Sequence, residues 1–125
     1  MGSDHPNAAR LREAMESFNS GNIEEYAELL ADDIVWHQIG APTLHGKEEL
    51  AASMPDAASG DSIEIKIHDV VANDEHGVAL VEAHATRGGR TFDYRTAEIL
   101  HFRDGKVTER WAFAEDTQAI KDFFA

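Results

Sequence analysis

The sequence predicts an α+β fold, a curved antiparallel sheet packed against helices around one pocket. Three observations carry that expectation. Four strand-like runs fill the second half, at 63–72, 78–86, 91–102 and 106–114. Two of the joints, Arg87-Gly88-Gly89-Arg90 and Arg103-Asp104-Gly105-Lys106, put Gly or Asp-Gly where a hairpin backbone takes positive φ. The first half reads as three short helices and the C-terminal end as a fourth, so the sheet has helices to bury one face against.

Ser3 or Asp4 is placed to cap the first helix, with Pro6 in the first turn where a missing N–H costs nothing. That helix runs to about Phe18, and Leu11, Met15 and Phe18 recur at helical spacing as its inward stripe. Asn19-Ser20-Gly21 ends it. Asn22 caps a second helix with Glu25 three residues on, and Ile23, Tyr26, Leu29 and Leu30 form the apolar side. Ala31-Asp32-Asp33 interrupts this pattern before 34–38, a short strand by its β-branched and aromatic content. Residues 40–46 form a loop, 47–54 a third helix stopped by Pro55, and 56–61 a polar connection placed to lid a pocket. Asp116 caps the last helix, whose Ile120, Phe123 and Phe124 face the body.

A two-residue Gly88-Gly89 turn fixes the register of the first long hairpin. It sets His84 opposite Asp93 and Glu82 opposite Arg95 on a wet face. The other face carries Ala79, Val81, Ala83 and Ala85 against Phe92, Tyr94, Thr96 and Glu98, small residues facing aromatics, which leaves room for a cavity. At Asp104-Gly105 two registers are open. A three-residue loop with Gly105 as a bulge puts Glu98 opposite Arg110 on the inner face with Ala112 and Ala114, and turns Trp111 and Phe113 outward with Ala97 and Ile99. A tight two-residue turn lines the inner face with Trp111 and Phe113 instead. The bulge is favoured because it pairs an acid on an apolar face with a base. It leaves an aromatic patch on the convex side, for which a second copy of the chain, a homodimer, is the natural partner.

The bulk properties exclude several classes. The chain has 125 residues, read as one domain over 1–125. Its 24 acids against 11 Lys+Arg give a formal charge of −13, so no nucleic-acid partner is expected. With four Lys, the acidic excess reads either as an ordinary solvated surface or as a halophile-like one. No apolar run approaches the roughly 18 residues of a membrane span, and no secretion signal is expected at the start. Absence of cysteine excludes disulfides and thiolate chemistry, and a cytoplasmic location is the default. The seven histidines show no His-x-His or His-Glu-x-x-His spacing, so no metal site is expected. No Gly-rich phosphate loop follows a strand, so no cofactor is expected either.

Several passages together resemble the NTF2-like superfamily, and within it the SnoaL-like and ketosteroid-isomerase-like proteins. They are Phe18-Asn19-Ser20-Gly21-Asn22, Leu30 through His37, His68 through Asp74, and Phe102 through Val107. The resemblance covers nearly the whole chain and implies a cone-shaped α+β fold with a deep cavity, often dimeric. It implies isomerases, cyclases, dehydratases, epoxide hydrolases or proteins without activity. The steroid isomerases, a worked case of pKa tuning, use an Asp base with a Tyr and a protonated Asp. Their positions fall here on Gln38, Ala14 and Glu98, and the last-strand acid of cyclases falls near Ala112.

The candidate catalytic residues are therefore Glu98, as acid or base, Arg110, as holder of an anionic oxygen, and Tyr94, as a donor. Trp36 as a flat wall, Gln38 as a polar tip, His37, Phe18 and Ala112 are the candidate substrate contacts. Two functions remain open. One is a cofactor-independent isomerase, cyclase, dehydratase or hydrolase for a small apolar organic molecule; the other is a non-catalytic ligand-binding or dimerisation module.

Overall fold

In the computed structural model, which describes residues 5–53 and 61–124, helix α1 (Pro6–Asn19) leads into α2 (Ile23–Glu28) and strand β1 (Leu30–Trp36). A two-residue strand β2 (Leu44–His45) precedes α3 (Gly46–Ser53). Four long strands follow, β3 (Ser62–Ala72), β4 (His76–Arg87), β5 (Arg90–Arg103) and β6 (Lys106–Ala114), then α4 (Thr117–Phe124). They form one six-stranded sheet in the order β2-β1-β6-β5-β4-β3. The α+β class expected from the sequence is what the molecule adopts. Every pairing is antiparallel except β1 with β6, a parallel pair that no local pattern announces.

The α1 stripe packs on the concave side, where Leu11, Met15, Ile34, Val70 and Val107 are the largest fully buried side chains. The cap of α1 is His5 rather than Ser3 or Asp4, which lie outside the described residues. The Asn7 N–H donates to His5 Nδ1 at 3.0 Å. Asn22 caps α2 as expected, with its Oδ1 accepting from the Glu25 N–H, but the helix stops at Glu28 and Leu30 already opens β1. Ala31-Asp32-Asp33 therefore lies within a strand. Strand pairing overrides the weak local preference, and the two acids stay outside near Lys47 and Arg103. The end of α3 at Met54 and Pro55, and the expected lid, lie outside the described residues apart from Asp61.

The Gly88-Gly89 hairpin has the expected register, with Thr86 opposite Thr91 and both glycines at positive φ. The second hairpin departs from the favoured expectation. Asp104 and Gly105, at φ 52° and 79°, make a two-residue turn with Arg103 opposite Lys106, since Asp tolerates the left-handed region. The extra residue is Thr108, two positions further on. Its hydroxyl donates to the His101 carbonyl at 3.3 Å, which gives the bulge an internal hydrogen bond. Beyond Thr108 the strand regains the facing that a Gly105 bulge would have given. Arg110, Ala112 and Ala114 turn inward and Trp111 and Phe113 outward, but Glu98 sits opposite Ala112 rather than Arg110.

Candidate active-site cavity

The concave face encloses a cavity of about 500 Å³ between the sheet, α1, α2 and α4. Alternation delivers Tyr94, Thr96 and Glu98 to it from β5 and Arg110 from β6. Small residues on β4, Val81 and Ala83, leave the volume open, and Phe18 of α1, Tyr26 of α2 and Trp36 at the end of β1 wall it with rings.

Glu98 and Arg110 are the charged pair inside. Arg110 lies opposite Leu100, and its Nε reaches diagonally to donate to Glu98 Oε1 at 2.8 Å, with the two side chains 13% and 7% exposed. Two more contacts fix the guanidinium. Its Nη1 donates to the His37 carbonyl at 3.1 Å, and its Cζ lies over the Trp36 ring, 4.2 Å from the centroid. A buried carboxylate needs such partners, because a lone one would be strongly penalised by desolvation. Both Glu98 and Arg110 keep atoms on the cavity wall.

Two phenols complete the polar end. Tyr26 packs between Phe18 and Trp36, at ring distances of 5.5 and 6.3 Å. Burial pushes its hydroxyl well above the ordinary phenol range, the nearby Glu98 carboxylate adds to the rise, and Arg110 opposes it. Tyr94 is raised too, first by burial, with Arg110 opposing and Glu98 adding. Both therefore stay protonated at neutral pH, and neither hydroxyl has a hydrogen-bond partner among the described residues. Donors without partners beside a carboxylate can hold an oxygen on which negative charge develops.

The other candidates separate. Phe18, Trp36 and Gln38 line the cavity, although the Gln38 amide donates to the Pro42 carbonyl at 2.8 Å. His37 does not. The alternation that turns Trp36 and Gln38 inward turns its ring to the convex side, where it stacks on Trp111 at 5.1 Å and Nε2 lies 2.7 Å from Glu109 Oε2. Only its carbonyl serves the site. Ala112 shares the concave face as the pairing partner of Glu98 but is not among the residues that line the cavity. Tyr26 also lines the cavity though it is not among the candidates read from the sequence, because its place among Ile23 and Leu29 reads as core; the phenol oxygen in an apolar stripe is the available signal. Among the described residues no three His, Asp or Glu side chains gather as a metal site, and no helix is long and apolar enough to cross a membrane.

Residues 11–110 match the SnoaL-like domain. The chain belongs to the SnoaL-like family. An uncharacterized protein of Mycobacterium tuberculosis is 25% identical over 122 residues, covering 92% of this chain and 93% of that one. The structure of Bal32a from a soil-derived mobile gene cassette superposes with a TM-score of 0.86 at 24% identity, over 95% of this chain and 96% of that one. A putative polyketide cyclase of Xanthomonas campestris gives 0.71 at 23% identity, over 95% and 99%. These likenesses are of fold, and the chemistry of this SnoaL-like protein must be argued from its own cavity.

Proposed function

We propose that this SnoaL-like domain is a cofactor-independent enzyme that moves a proton on a small, largely apolar organic molecule bound in the concave cavity. The observation that carries the reading is the buried Glu98–Arg110 pair lining an aromatic-walled cavity together with two protonated phenols. In the step proposed, the Glu98 carboxylate takes a proton from a carbon next to a carbonyl, and the C–H electron pair moves onto the carbonyl oxygen. Tyr26 and Tyr94 donate to that oxygen, while Arg110 holds Glu98 in place. Return of the proton to another carbon gives an isomer; attack of the enolate carbon on a second carbonyl of the same molecule gives a ring, with the proton on Glu98 passing to the alkoxide so formed.

The test is deuterium exchange from D2O into small cyclic ketones, followed by NMR. Wild type is expected to catalyse exchange at the carbon next to the carbonyl, and Glu98→Gln to lose at least about 100-fold while staying folded. Full exchange by the variant sinks the assignment. A second reading, a ligand-binding module without turnover, is favoured by Gln38, Ala14 and Ala112, none of which can ionise. Retention of a co-purified ligand without exchange on any ketone would select it.

The partner we propose is a second copy of the chain, seated on the convex face. Leu80, Ala97 and Phe113 line up across β4, β5 and β6 there, beside the row of Val78, Ile99 and Trp111. Phe113 is 57% exposed. Sedimentation at micromolar concentration is expected to give a dimer, and a monomer would count against the interface.

A further inference from the structure

The cavity has a second polar end, built around a guanidinium that the fold does not use. Arg87, the last residue of β4, lines the cavity. The chain has seven arginines. Arg10 donates to Asn7, Arg90 to the Phe123 carbonyl, and Arg12, Arg95, Arg103 and Arg110 lie against Asp69, Glu82, Asp33 and Glu98. Arg87 has no such partner among the described residues. In a chain with 24 acids against 11 bases, an arginine without any partner among the described residues is the unusual case, and this one stands on a cavity wall.

Its surroundings favour a singly charged anion. Arg87 turns inward with Ala83 and Ala85, whereas Thr86 and its cross-strand partner Ser62 alternate toward the convex face, so the guanidinium is the cationic group at this end. One guanidinium, with its planar fork of donors, matches the charge and the two acceptor oxygens of a carboxylate. The acid at this end, Asp61, accepts from the Gly88 N–H at 3.2 Å and adds negative charge beside the site, which disfavours a dianion. The stretch between the two ends is apolar, with Ile63, Ile65, Val81 and Ala83 along it. Ala79 pairs with Glu98, and Arg87 lies eight residues further along β4, or roughly 26 Å of extended strand before the curvature of the sheet and the reach of the side chain shorten it.

We infer that the cavity takes an elongated, mainly apolar carboxylate, its anionic end held by Arg87 and its body directed toward Glu98. The inference rests on the small-molecule reading of the cavity and adds the substrate class.

The experiment titrates decanoate and its methyl ester, both below their aggregation limits, into wild type, Arg87→Gln and Arg87→Lys. The change in tryptophan emission, to which Trp36 on the cavity wall contributes, reports binding. Wild type is expected to hold the acid at least about tenfold more tightly than the ester, with the difference shrinking as salt is added. Arg87→Gln is expected to lose that preference by weakening the acid alone, and Arg87→Lys to keep part of it. The melting temperature of Arg87→Gln should match wild type, since the side chain holds nothing in the fold. Equal binding of acid and ester by wild type overturns this inference and leaves the cavity reading standing. An acid preference that survives Arg87→Gln, or equal weakening of both probes by it, also overturns it. If neither probe binds wild type, the small-molecule reading falls and this inference falls with it.

Discussion

Two Glu–Arg pairs flank β5, one on each face of the sheet, and they differ in almost everything except composition. Glu98–Arg110 is nearly sealed on the concave side at 2.8 Å, with the guanidinium also bound to a carbonyl and stacked on an indole. Glu82–Arg95 lies on the convex side at 3.7 Å, with side chains 45% and 76% exposed. The outer pair is screened by water and worth about 0–1 kcal/mol. The inner pair is a structural obligation. Having placed a carboxylate inside, the fold must keep its partners, and a group held under that constraint beside open volume can do chemistry.

The comparison breaks most sharply if the partners are removed one at a time. Arg110→Met leaves Glu98 buried without its cation and should cost about 3–5 kcal/mol in urea unfolding, most of it regained in Glu98→Gln/Arg110→Met. A loss under about 1 kcal/mol would mean that the inner pair behaves like the outer one. On the convex face, Phe113→Asp should turn the proposed dimer into a folded monomer by sedimentation; an unchanged mass would remove that face from the interface.

The phenols sharpen the contrast through pH. Because the folded-state value of Tyr26 is raised, the unfolded chain loses its phenol proton first, near the ordinary value of about 10. The sign follows. The native state then binds more protons than the unfolded one, so the contribution of this group is complete below about pH 10 and falls as pH rises, by up to about 1.4 kcal/mol per pH unit. Tyr26→Phe should flatten this alkaline loss, measured by urea unfolding between pH 9 and pH 11, and an unchanged slope would remove the buried phenol from the account. The smallest effect belongs to the outer pair, where Glu82→Gln should change stability by less than about 1 kcal/mol.

How much of this was legible in the sequence depended on whether the deciding interaction was local. Gly88-Gly89 fixed its hairpin because two adjacent residues that accept positive φ allow one tight turn, and every face from Ala79 to Glu98 follows by alternation. Asp104-Gly105 allowed two answers, and the extra residue moved to Thr108, where its hydroxyl gives it a hydrogen bond that no turn rule anticipates. The facing of Arg110 came out the same because either bulge shifts the strand by one residue. The parallel pairing of β1 with β6 joins residues more than seventy positions apart, beyond the reach of any periodicity. At the site, Glu98 stood out as an acid on an apolar face, whereas Tyr26 was hidden by its good fit to the inner side of α2. The misplaced His37 shows the same limit, since alternation gave the direction of its ring but not that its carbonyl would hold Arg110.

The most direct measurement sets Glu98→Gln and Glu82→Gln side by side in the ketone exchange assay, with circular dichroism confirming that both fold. Loss of exchange by at least about 100-fold in the first and wild-type exchange in the second is the result expected if the inner carboxylate is the base. Equal rates in the two variants would contradict a catalytic role for Glu98 and leave the cavity as a binding site.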